Sequence, residues 1–451
     1  MLWLRLLLLA GARASAAGAT LWLTLPDKSA VLSTAPVSAC EAAGTAIDAT
    51  IDPARAFQTI DGFGAAMTES SAMVLDRMPK AEREALLDDL MARVGVLRVP
   101  VGASDFSDGT YSCDDPPGGK ADPALKSFSF ERCTKSILPY LKEARRRRPG
   151  LKLVATAWSA PAWMKASGTM KGGALKPEWA GAYARYLARF ASEMRKAGEP
   201  LDYMTVSNEP GFSTGTYPTM RMTAPEQARL IEEWLGPALK KERVKLLAFD
   251  HNWADVAYPL EVFASAGARR YAAGAAFHCY EGQPEQMDAF AAAHPDKEIH
   301  FTECSAGGWE KRFDHAFPWC VKVPFIGDLA HGARSVLYWN LVLDDHWGPT
   351  NDGCLDCRGV VTVSTATGAV EKTPEYYALA HASLAADPGA RRVYSVAAST
   401  GLAQVAFSNP DGSLGWLALN ETGGALGVRL RSLGSCLQFR LPPGAAVSLR
   451  Q

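Results

Sequence analysis

The sequence has no excess of charge of either sign. Its 47 lysines and arginines nearly balance 48 aspartates and glutamates, for a formal net charge of -1. A chain this close to neutral has no basic field that would attract nucleic acid or an anionic membrane surface. The basic run at residues 145–148 directly precedes Pro149-Gly150, where a helix is expected to stop. We interpret it as a solvated helix end that complements the helix dipole, and not as a binding patch.

Long hydrophobic runs are absent beyond the first residues. Arg5 provides a short positive start, residues 6–10 an apolar core and Ala14-Ser15-Ala16 a small-residue cleavage site. Residues 1–16 are therefore predicted to be an export signal peptide, with a buried first strand as the alternative. The apolar run is too short to span a bilayer. We expect a secreted or periplasmic protein without an integral membrane segment.

Several metal-binding and catalytic signatures are also missing. The eight histidines show no HExxH spacing, and no GxSxG motif of serine hydrolases is present. The CxxC motif Cys354-Leu355-Asp356-Cys357 stands alone, without the second ligand pair that a structural zinc site needs. We interpret it as a loop disulfide or as two unpaired thiols. Nine cysteines suit an oxidising compartment, and their odd number leaves at least one unpaired.

The middle of the chain repeats a strand followed by an amphipathic helix. The strand candidates are residues 61–67, 94–102, 151–159, 201–209, 244–252, 272–280, 298–305 and 333–342. Helices are predicted over residues 176–198, 223–242 and 375–384. Eight such repeats predict a closed (β/α)8 TIM barrel. The rival, an open doubly wound sheet, would carry a glycine-rich phosphate turn after its first strand, and Gly62-Phe63-Gly64 lacks the third glycine.

The two ends of the chain are β-prone and are broken by turn residues. Residues 402–407 and 414–420, for example, are separated by the turn signal Asn409-Pro410-Asp411-Gly412. We predict a side β-sandwich domain formed from both termini, residues 17–60 and 391–451, attached to a catalytic barrel at residues 61–390.

The ends of the predicted strands carry polar and aromatic residues. In a (β/α)8 barrel the active site forms at the carboxyl-terminal strand ends. The residues found there are Ser104-Asp105-Phe106, Trp158-Ser159, Asn208-Glu209-Pro210, His278-Cys279-Tyr280, Glu303-Cys304 and Trp339-Asn340. Aromatic faces stack on the apolar side of a pyranose, and Asp, Asn and His bind its hydroxyl groups. This set predicts a sugar-binding site.

Two glutamates stand at the ends of the fourth and seventh predicted strands. Hydrolysis of a glycoside requires one protonated carboxyl group and one ionised carboxyl group. Glu209 and Glu303 are the candidates, although either one alone would be an ordinary salt-bridge partner. His278 alone would be an ordinary hydrogen-bonded barrel residue.

These motifs resemble those of glycoside hydrolase family thirty, the glucosylceramidase-like family. The matching segments are residues 61–68, 97–100, 104–106, 158–165, 208–210, 301–303, 339–341 and 373–377, in the family's order. Residues 353–361 are similar to the loop of bacterial-type members after the eighth strand. Cys279 departs from the tryptophan that the animal lysosomal enzyme carries at this place.

The resemblance implies a retaining mechanism with Glu209 as proton donor and Glu303 as nucleophile. It also implies a glucose-type subsite formed by Asp105, Trp158, Asn208, His278, Tyr280 and Trp339, with Arg98 close by. Asn208 would bond the sugar 2-hydroxyl. No cofactor or metal is required, because two carboxyl groups perform the chemistry. The sequence contains no signal that fixes an oligomeric state or a protein partner.

The leading hypothesis is hydrolysis of a β-glucoside, either glucosylceramide or a β-1,6-linked glucan. The alternatives are a β-xylosidase or β-fucosidase of the same family, and a catalytically inactive carbohydrate-binding barrel. A retaining pair predicts a carboxyl separation of about 5–5.5 Å, against about 6.5–9.5 Å for an inverting pair. We also expect the charge of Glu303 to raise the pKa of Glu209, so that Glu209 is protonated when it must donate.

Overall fold

The computed structural model describes residues 18–40 and 46–451. The predicted signal peptide at residues 1–16 lies outside them. The strands are β1 Thr20–Thr24, β2 Ser33–Ala35, β3 Ser38–Ala39, β4 Ile47–Thr59, β5 Gly62–Ala66, β6 Val96–Pro100, β7 Lys152–Thr156, β8 Tyr203–Thr205, β9 Lys245–Asn252, β10 Ala272–His278, β11 Glu298–Glu303, β12 Ala333–Asn340, β13 Val342–Asp344, β14 Val361–Val363, β15 Val370–Lys372, β16 Arg391–Ala397, β17 Leu402–Ser408, β18 Leu414–Asn420, β19 Leu426–Ser432, β20 Ser435–Leu441 and β21 Ala446–Arg450.

Most of the helices follow barrel strands. They are α1 Glu69–Arg77, α2 Lys80–Met91, α3 Phe130–Thr134, α4 Leu138–Arg147, α5 Ala180–Lys196, α6 Ala224–Leu230, α7 Gly236–Glu242, α8 Ala257–Ala264, α9 Ala266–Tyr271, α10 Met287–Ala293, α11 Phe313–Cys320, α12 Asp328–Ala330 and α13 Pro374–Ala385. Among the described residues, no helix combines the length and the hydropathy that a membrane crossing demands.

Strands β5 to β12 form a closed parallel barrel in chain order. The ring closes where β12 pairs with β5, with Ser335 opposite Gly62. Gly64 is required in β5 because a Cβ there would lie 1.8 Å from the carbonyl oxygen of Val96 in the next strand. The eight predicted strands and the closed barrel are confirmed, and the open doubly wound sheet is excluded.

The predicted helix over residues 223–242 forms with an interruption. Thr223 caps α6 through a capping box with Glu226, as the sequence indicates for a helix start. Between α6 and α7 the residues Ile231–Leu235 form a π-helical turn. Pro237, in the first turn of α7, has no backbone N–H to continue the regular ladder. The prediction of one regular helix is therefore wrong at this turn.

The two ends of the chain share one ten-stranded sheet with the order β2-β1-β21-β18-β17-β16-β4-β19-β20-β3. It encloses its own core, which includes Leu21, Ile51 and Trp416. The predicted side β-sandwich formed from both termini is confirmed. The sandwich rests on α13, where Gly415 approaches so closely that a Cβ would lie 1.7 Å from the Ala385 carbonyl oxygen. The exact domain limits at residues 60/61 and 390/391 stay predictions.

Four disulfides connect the described parts of the chain. They join Cys40 to Cys436, Cys113 to Cys133, Cys279 to Cys304 and Cys354 to Cys357. The CxxC motif is thus a loop disulfide, and the alternative of two unpaired thiols is wrong. Cys320 is a buried free thiol.

The basic run at residues 145–148 lies at the end of α4. Arg145 pairs with Glu199 and Arg147 contacts three acidic side chains, so the charge of this run is largely neutralised.

Candidate active site

The nine residues predicted from the sequence lie together at the carboxyl-terminal mouth of the barrel. They are Arg98 in β6, Asp105 beyond β6, Trp158 beyond β7, Asn208 and Glu209 beyond β8, His278 at the end of β10, Tyr280 beyond β10, Glu303 at the end of β11 and Trp339 near the end of β12. Hydrogen bonds, ring contacts or charge interactions connect all nine.

The carboxyl groups of Glu209 and Glu303 face each other across this mouth. One oxygen of each, together with a ring nitrogen of His278, belongs to a group of atoms within 4.8 Å of one another. This separation is far shorter than an inverting pair needs to admit a water molecule. It therefore agrees with the short separation expected of a retaining pair.

Different donors hold the two carboxyl groups. Glu303 accepts a hydrogen bond from the Tyr280 hydroxyl at 2.8 Å and another from Arg98. Glu209 lies 3.2 Å from Nδ1 of His278. The Glu209 backbone is left-handed, with φ of 44°, and its N–H donates to the Asp250 carbonyl oxygen at 3.0 Å. Such strain in a non-glycine residue is typical of functional sites.

Arg98 links the nucleophile candidate to the rest of the mouth. Its guanidinium is fully buried and donates to Glu303, to Asn208 Oδ1 at 2.8 Å and to Asp250 Oδ2 at 2.9 Å. The bond to Arg98 fixes the Asn208 amide, so that its NH₂ group is the part left to donate to a ligand.

Two stacked indoles form an aromatic wall of the site. The rings of Trp158 and Trp339 have centroids 4.7 Å apart and an interplanar angle of 22°. The Arg98 guanidinium lies 4.9 Å from the centroid of the Trp158 ring, so the aromatic wall also covers this buried charge with a cation–π contact. Tyr217 packs against the same cluster.

His278 is in its doubly protonated, positively charged form at neutral pH in this site. Burial opposes its charge, but the charges of Glu303 and Asp250, with hydrogen bonds to Asp250 and Glu209, raise its pKa to about 9. Its Nε2 lies 2.9 Å from Asp250 Oδ1.

The predicted rise in the pKa of Glu209 is wrong for the free site. Burial does favour the protonated form of Glu209. The hydrogen bond from His278 and the charges of His278, His251 and Arg98 outweigh burial and lower its pKa. The proton expected on Glu209 therefore rests on His278, one hydrogen bond away.

The other two carboxyl groups of the mouth shift in the opposite direction. Burial raises the pKa of Glu303, and the charge of Glu209 adds to this rise against the charges of His278 and Arg98. Burial and the charges of Glu303 and Glu209 raise the pKa of Asp105 to about 8, so Asp105 is protonated at neutral pH and can donate a hydrogen bond. Gly353 leaves room for Asp105, since a Cβ there would lie 2.2 Å from its Cβ.

The grouping of Glu209, His278 and Glu303 also has the size of a cation site. Their hydrogen bonds to one another, to Arg98 and to Tyr280 already engage these atoms. We therefore interpret the group as a proton-transfer network.

The sequence reasoning missed Asp250 and Tyr217. Asp250 lies in β9, the fifth barrel strand, whose end was not included among the candidate site residues. The rule that barrel strand ends carry the site would have found it. Tyr217 lies in the loop after β8, and the charges of Asp105, Glu209 and Glu303 help to raise its pKa. No motif points to it.

A parallel eight-stranded barrel with two facing carboxyl groups and an aromatic wall at its mouth defines a barrel glycoside hydrolase. Two family models match the chain: the glycosyl hydrolase family 30 TIM-barrel domain over residues 60–385 and the glycosyl hydrolase family 30 β-sandwich domain over residues 389–449. The chain belongs to glycosyl hydrolase family 30.

Named relatives fall into two groups. An endo-1,6-β-D-glucanase of Neurospora crassa is 34% identical over 386 residues, which are 80% of this chain and 79% of the relative. The lysosomal acid glucosylceramidase of Mus musculus is 30% identical over 422 residues, 84% of this chain and 78% of the relative. The solved structure of the endo-β1,6-glucanase BT3312 superimposes with a TM-score of 0.89 at 28% identity, and the match covers 96% of this chain and 99% of that one.

Proposed function

We propose that the protein hydrolyses β-glucosidic bonds by double displacement, with Glu303 as nucleophile and Glu209 as general acid and base. The observation that carries this proposal is the facing pair of carboxyl groups, with oxygens within 4.8 Å of each other. The different donors that hold the two groups support the division of roles.

In the first step a Glu303 oxygen attacks the anomeric carbon as the glycosidic C–O bond breaks. The departing oxygen takes a proton from Glu209. Because the free site holds this proton on His278 Nδ1, 3.2 Å from Glu209, the proton crosses that hydrogen bond when Glu209 acts as the acid. The product of this step is a glycosyl ester of Glu303 and a free leaving group.

In the second step Glu209 removes a proton from water, and the hydroxide attacks the anomeric carbon. The bond to Glu303 breaks and the sugar leaves with its original configuration. Esterified Glu303 has no charge, so it no longer opposes ionisation of Glu209. The low pKa of Glu209 in this site suits the base role.

The other predicted residues form the sugar subsite in this proposal. The Asn208 NH₂ group donates to the sugar 2-hydroxyl, a contact that strengthens in the transition state. Asp105 and the Trp158–Trp339 wall bind the remaining hydroxyl groups and the apolar face.

A β-1,6-linked glucan is the proposed substrate. The 34% identity to an endo-1,6-β-D-glucanase and the TM-score of 0.89 to the structure of another support this choice. Relatives named as glucosylceramidases make glucosylceramide the second candidate.

We further propose that the protein acts outside the cytoplasm. The support is chemical, because four disulfides are typical of an oxidising compartment.

Substrate choice is tested by product analysis on a linear β-1,6-glucan, a linear β-1,3-glucan and glucosylceramide in detergent micelles, with Glu303→Ala as the inactive control. The proposal predicts shortened β-1,6-linked oligosaccharides and no release from the β-1,3-glucan. Ceramide release without glucan cleavage would contradict the choice of a β-1,6-glucan and show that glucosylceramide is the substrate. Faster cleavage of nitrophenyl β-xyloside or β-fucoside than of the β-glucoside would contradict the glucosidic assignment.

A further inference from the structure

Asp250 is a fully buried carboxylate that touches both halves of the catalytic machinery. Five side chains direct polar atoms at it: Arg98 Nη2 at 2.9 Å, His278 Nε2 at 2.9 Å, Thr302 Oγ1 at 2.6 Å, Thr205 Oγ1 at 2.7 Å and Thr156 Oγ1 at 3.3 Å. These donors stand on five other barrel strands, β6, β7, β8, β10 and β11. Burial opposes the charge of Asp250, but the charges of Arg98 and His278, with the hydrogen bonds of His278 and Thr302, hold its pKa far below the usual range.

The backbone at Asp250 is bent to aim this carboxylate inward. Phe249 and Asp250 both have left-handed backbones, with φ of 72° and 80°. Phe249 pairs with Ala276 and His251 pairs with Phe277, so Asp250 is the extra residue of a bulge in β9. Two consecutive left-handed residues cost free energy and persist only where the surroundings hold them.

The same bulge also holds the backbone of Glu209. The Asp250 carbonyl oxygen accepts the Glu209 N–H at 3.0 Å, at the residue whose own φ is 44°. Asp250 is thus joined to Glu209 by its main chain and, through His278, by its side chain. Through Arg98 it is joined to Glu303.

We propose that Asp250 is the positioning residue that orients Arg98 and His278 and, through them, fixes the charges of Glu303 and Glu209. This inference rests on the proposed function, because the roles of the two glutamates come from it. Asp250 does not act on the sugar, since its side chain is 0% exposed beneath Arg98 and His278.

The charges around His278 show what the carboxylate does. Arg98 and protonated His278 balance the two negative charges of Glu209 and Glu303, and the further negative charge of Asp250, in direct contact with Nε2, stabilises the protonated form of His278. The titratable groups that face the His278 ring are Asp250, Glu209, Glu303, His251 and Tyr280. Asp250 is the one among them that binds Nε2.

Asp250→Asn tests the proposal with almost no change in shape. The Asn amide can accept from Arg98 and donate to Nε2 of a neutral His278, so the core stays filled and bonded. Loss of one negative charge lowers every pKa nearby. We expect both limbs of the pH profile of kcat/KM to move to lower pH by about one unit or more, since close charges couple strongly. We expect kcat to fall about 100-fold, as for other losses of positioning.

Asp328→Asn is the matched control. Asp328 is equally buried, and its side chain bonds to Trp253 and not to a residue of the site; burial raises its pKa well above the usual value. Its Oδ1 accepts from Trp253 at 3.1 Å, a bond that Asn retains. We expect its pH profile and kcat to stay at wild-type values. An Asp250→Asn profile that coincides with the wild type, with kcat within threefold, would overturn the proposal.

Imidazole ¹⁵N NMR tests the same inference without any substrate. The wild type should show His278, assigned by its loss in His278→Asn, doubly protonated at pH 7. Asp250→Asn should show it neutral there. If the variant does not fold, the wild-type spectrum decides: a neutral His278 at pH 7 overturns the proposal. If no glycoside is hydrolysed, the proposed function fails while the NMR result still tests the role of Asp250.

Discussion

At the scale of single residues, the two glutamates that we propose as catalytic differ in the partners that surround them. Glu303 receives hydrogen bonds from Arg98 and Tyr280, which favour its ionised form, while burial and the charge of Glu209 raise its pKa. Glu209 receives one from protonated His278, which in the proposed mechanism supplies and takes back a proton. Environments of this kind assign different roles to two chemically identical side chains.

Substitution of each glutamate by alanine should separate these roles. Glu303→Ala should lower kcat/KM by about 10⁴-fold or more on every substrate, because the nucleophile is lost. Glu209→Ala should lose about 10²- to 10⁴-fold on a nitrophenyl β-glucoside and far less on the dinitrophenyl β-glucoside, whose leaving group needs no proton. Steady-state rates on the two aryl glucosides give the comparison. Equal losses for both variants on the dinitrophenyl substrate would refute the assignment.

Residue identities could be predicted from the sequence better than residue charges. Strand-end position and motif brought together all nine site residues, because a barrel directs every strand end to one mouth. The pKa of Glu209 was predicted in the wrong direction, since the sequence does not reveal that the charges of Glu303 and Asp250 raise the pKa of His278. Asp250 lies near the end of the fifth barrel strand, which the strand-end rule covers, but its inward direction depends on a bulge in β9 that the sequence does not reveal.

At the scale of elements, a disulfide joins the ends of two neighbouring barrel strands. Cys279 directly follows His278, and Cys304 directly follows Glu303. His278 and Glu303 are paired across β10 and β11, just beyond a register shift. The disulfide therefore fixes the two strand ends where the ladder is irregular.

Removal of this disulfide should affect both stability and rate. Cys279→Ala/Cys304→Ala should lower the free energy of unfolding by about 2–4 kcal/mol. It should also lower kcat about tenfold at temperatures where the variant stays folded, because His278 and Glu303 lose a shared anchor. Denaturant unfolding curves measure the change in stability. The change in kcat is measured well below the variant's Tm, where the variant is folded.

The matched control is Cys40→Ala/Cys436→Ala, whose disulfide lies in the sandwich. It should reduce stability and leave kcat unchanged. A wild-type kcat in the Cys279/Cys304 variant would show that this disulfide has no part in positioning.

Periodicity and cap residues predicted most elements correctly. The helix over residues 176–198, for example, begins as a short turn at Pro177–Trp179 and continues as α5, with Gly198 left-handed after its end. The π turn before α7 could not be predicted from periodicity, because the hydrophobic pattern does not register the missing backbone N–H of Pro237.

At the scale of the whole molecule, a buried histidine joins the barrel to the sandwich. His381 of α13 lies 2.8 Å from Ser448 Oγ in β21 and 2.8 Å from Thr24 Oγ1 in β1. Burial and the charge of Arg93 lower its pKa to about 3. The contact between the two domains thus contains a neutral imidazole.

This histidine should make stability fall in acid. The unfolded chain protonates His381 near its ordinary pKa of 6.5, whereas the folded chain does so only near 3. Its contribution is therefore complete above pH 6.5 and is lost as the pH falls from 6.5 towards 3, by about 1.4 kcal/mol per pH unit.

Urea denaturation at pH 7, 6, 5 and 4 tests this slope. His381→Gln should lose less stability between pH 7 and 4 than the wild type, although it is less stable at pH 7. His346→Gln changes a histidine whose side chain is 79% exposed and should follow the wild-type slope. Identical slopes for wild type and His381→Gln would contradict the account.

The overall architecture could be predicted only in part. Turn signals and β-prone runs at both ends predicted a shared sandwich. The order of its strands could not be predicted, because β4 from the amino-terminal part lies between β16 and β19 of the carboxyl-terminal part. Pairing between segments so distant in the chain leaves no local signature.

The stereochemistry of the first product tests the central claim most directly. Glu209 and Glu303 have oxygens within 4.8 Å of each other, closer than the separation of about 6.5–9.5 Å that an inverting pair needs to admit a water molecule. Proton NMR of an aryl β-glucoside or a β-1,6-gluco-oligosaccharide during the first turnovers reports the anomer before mutarotation. The account predicts the β-anomer first. An α-anomer that appears first would contradict it.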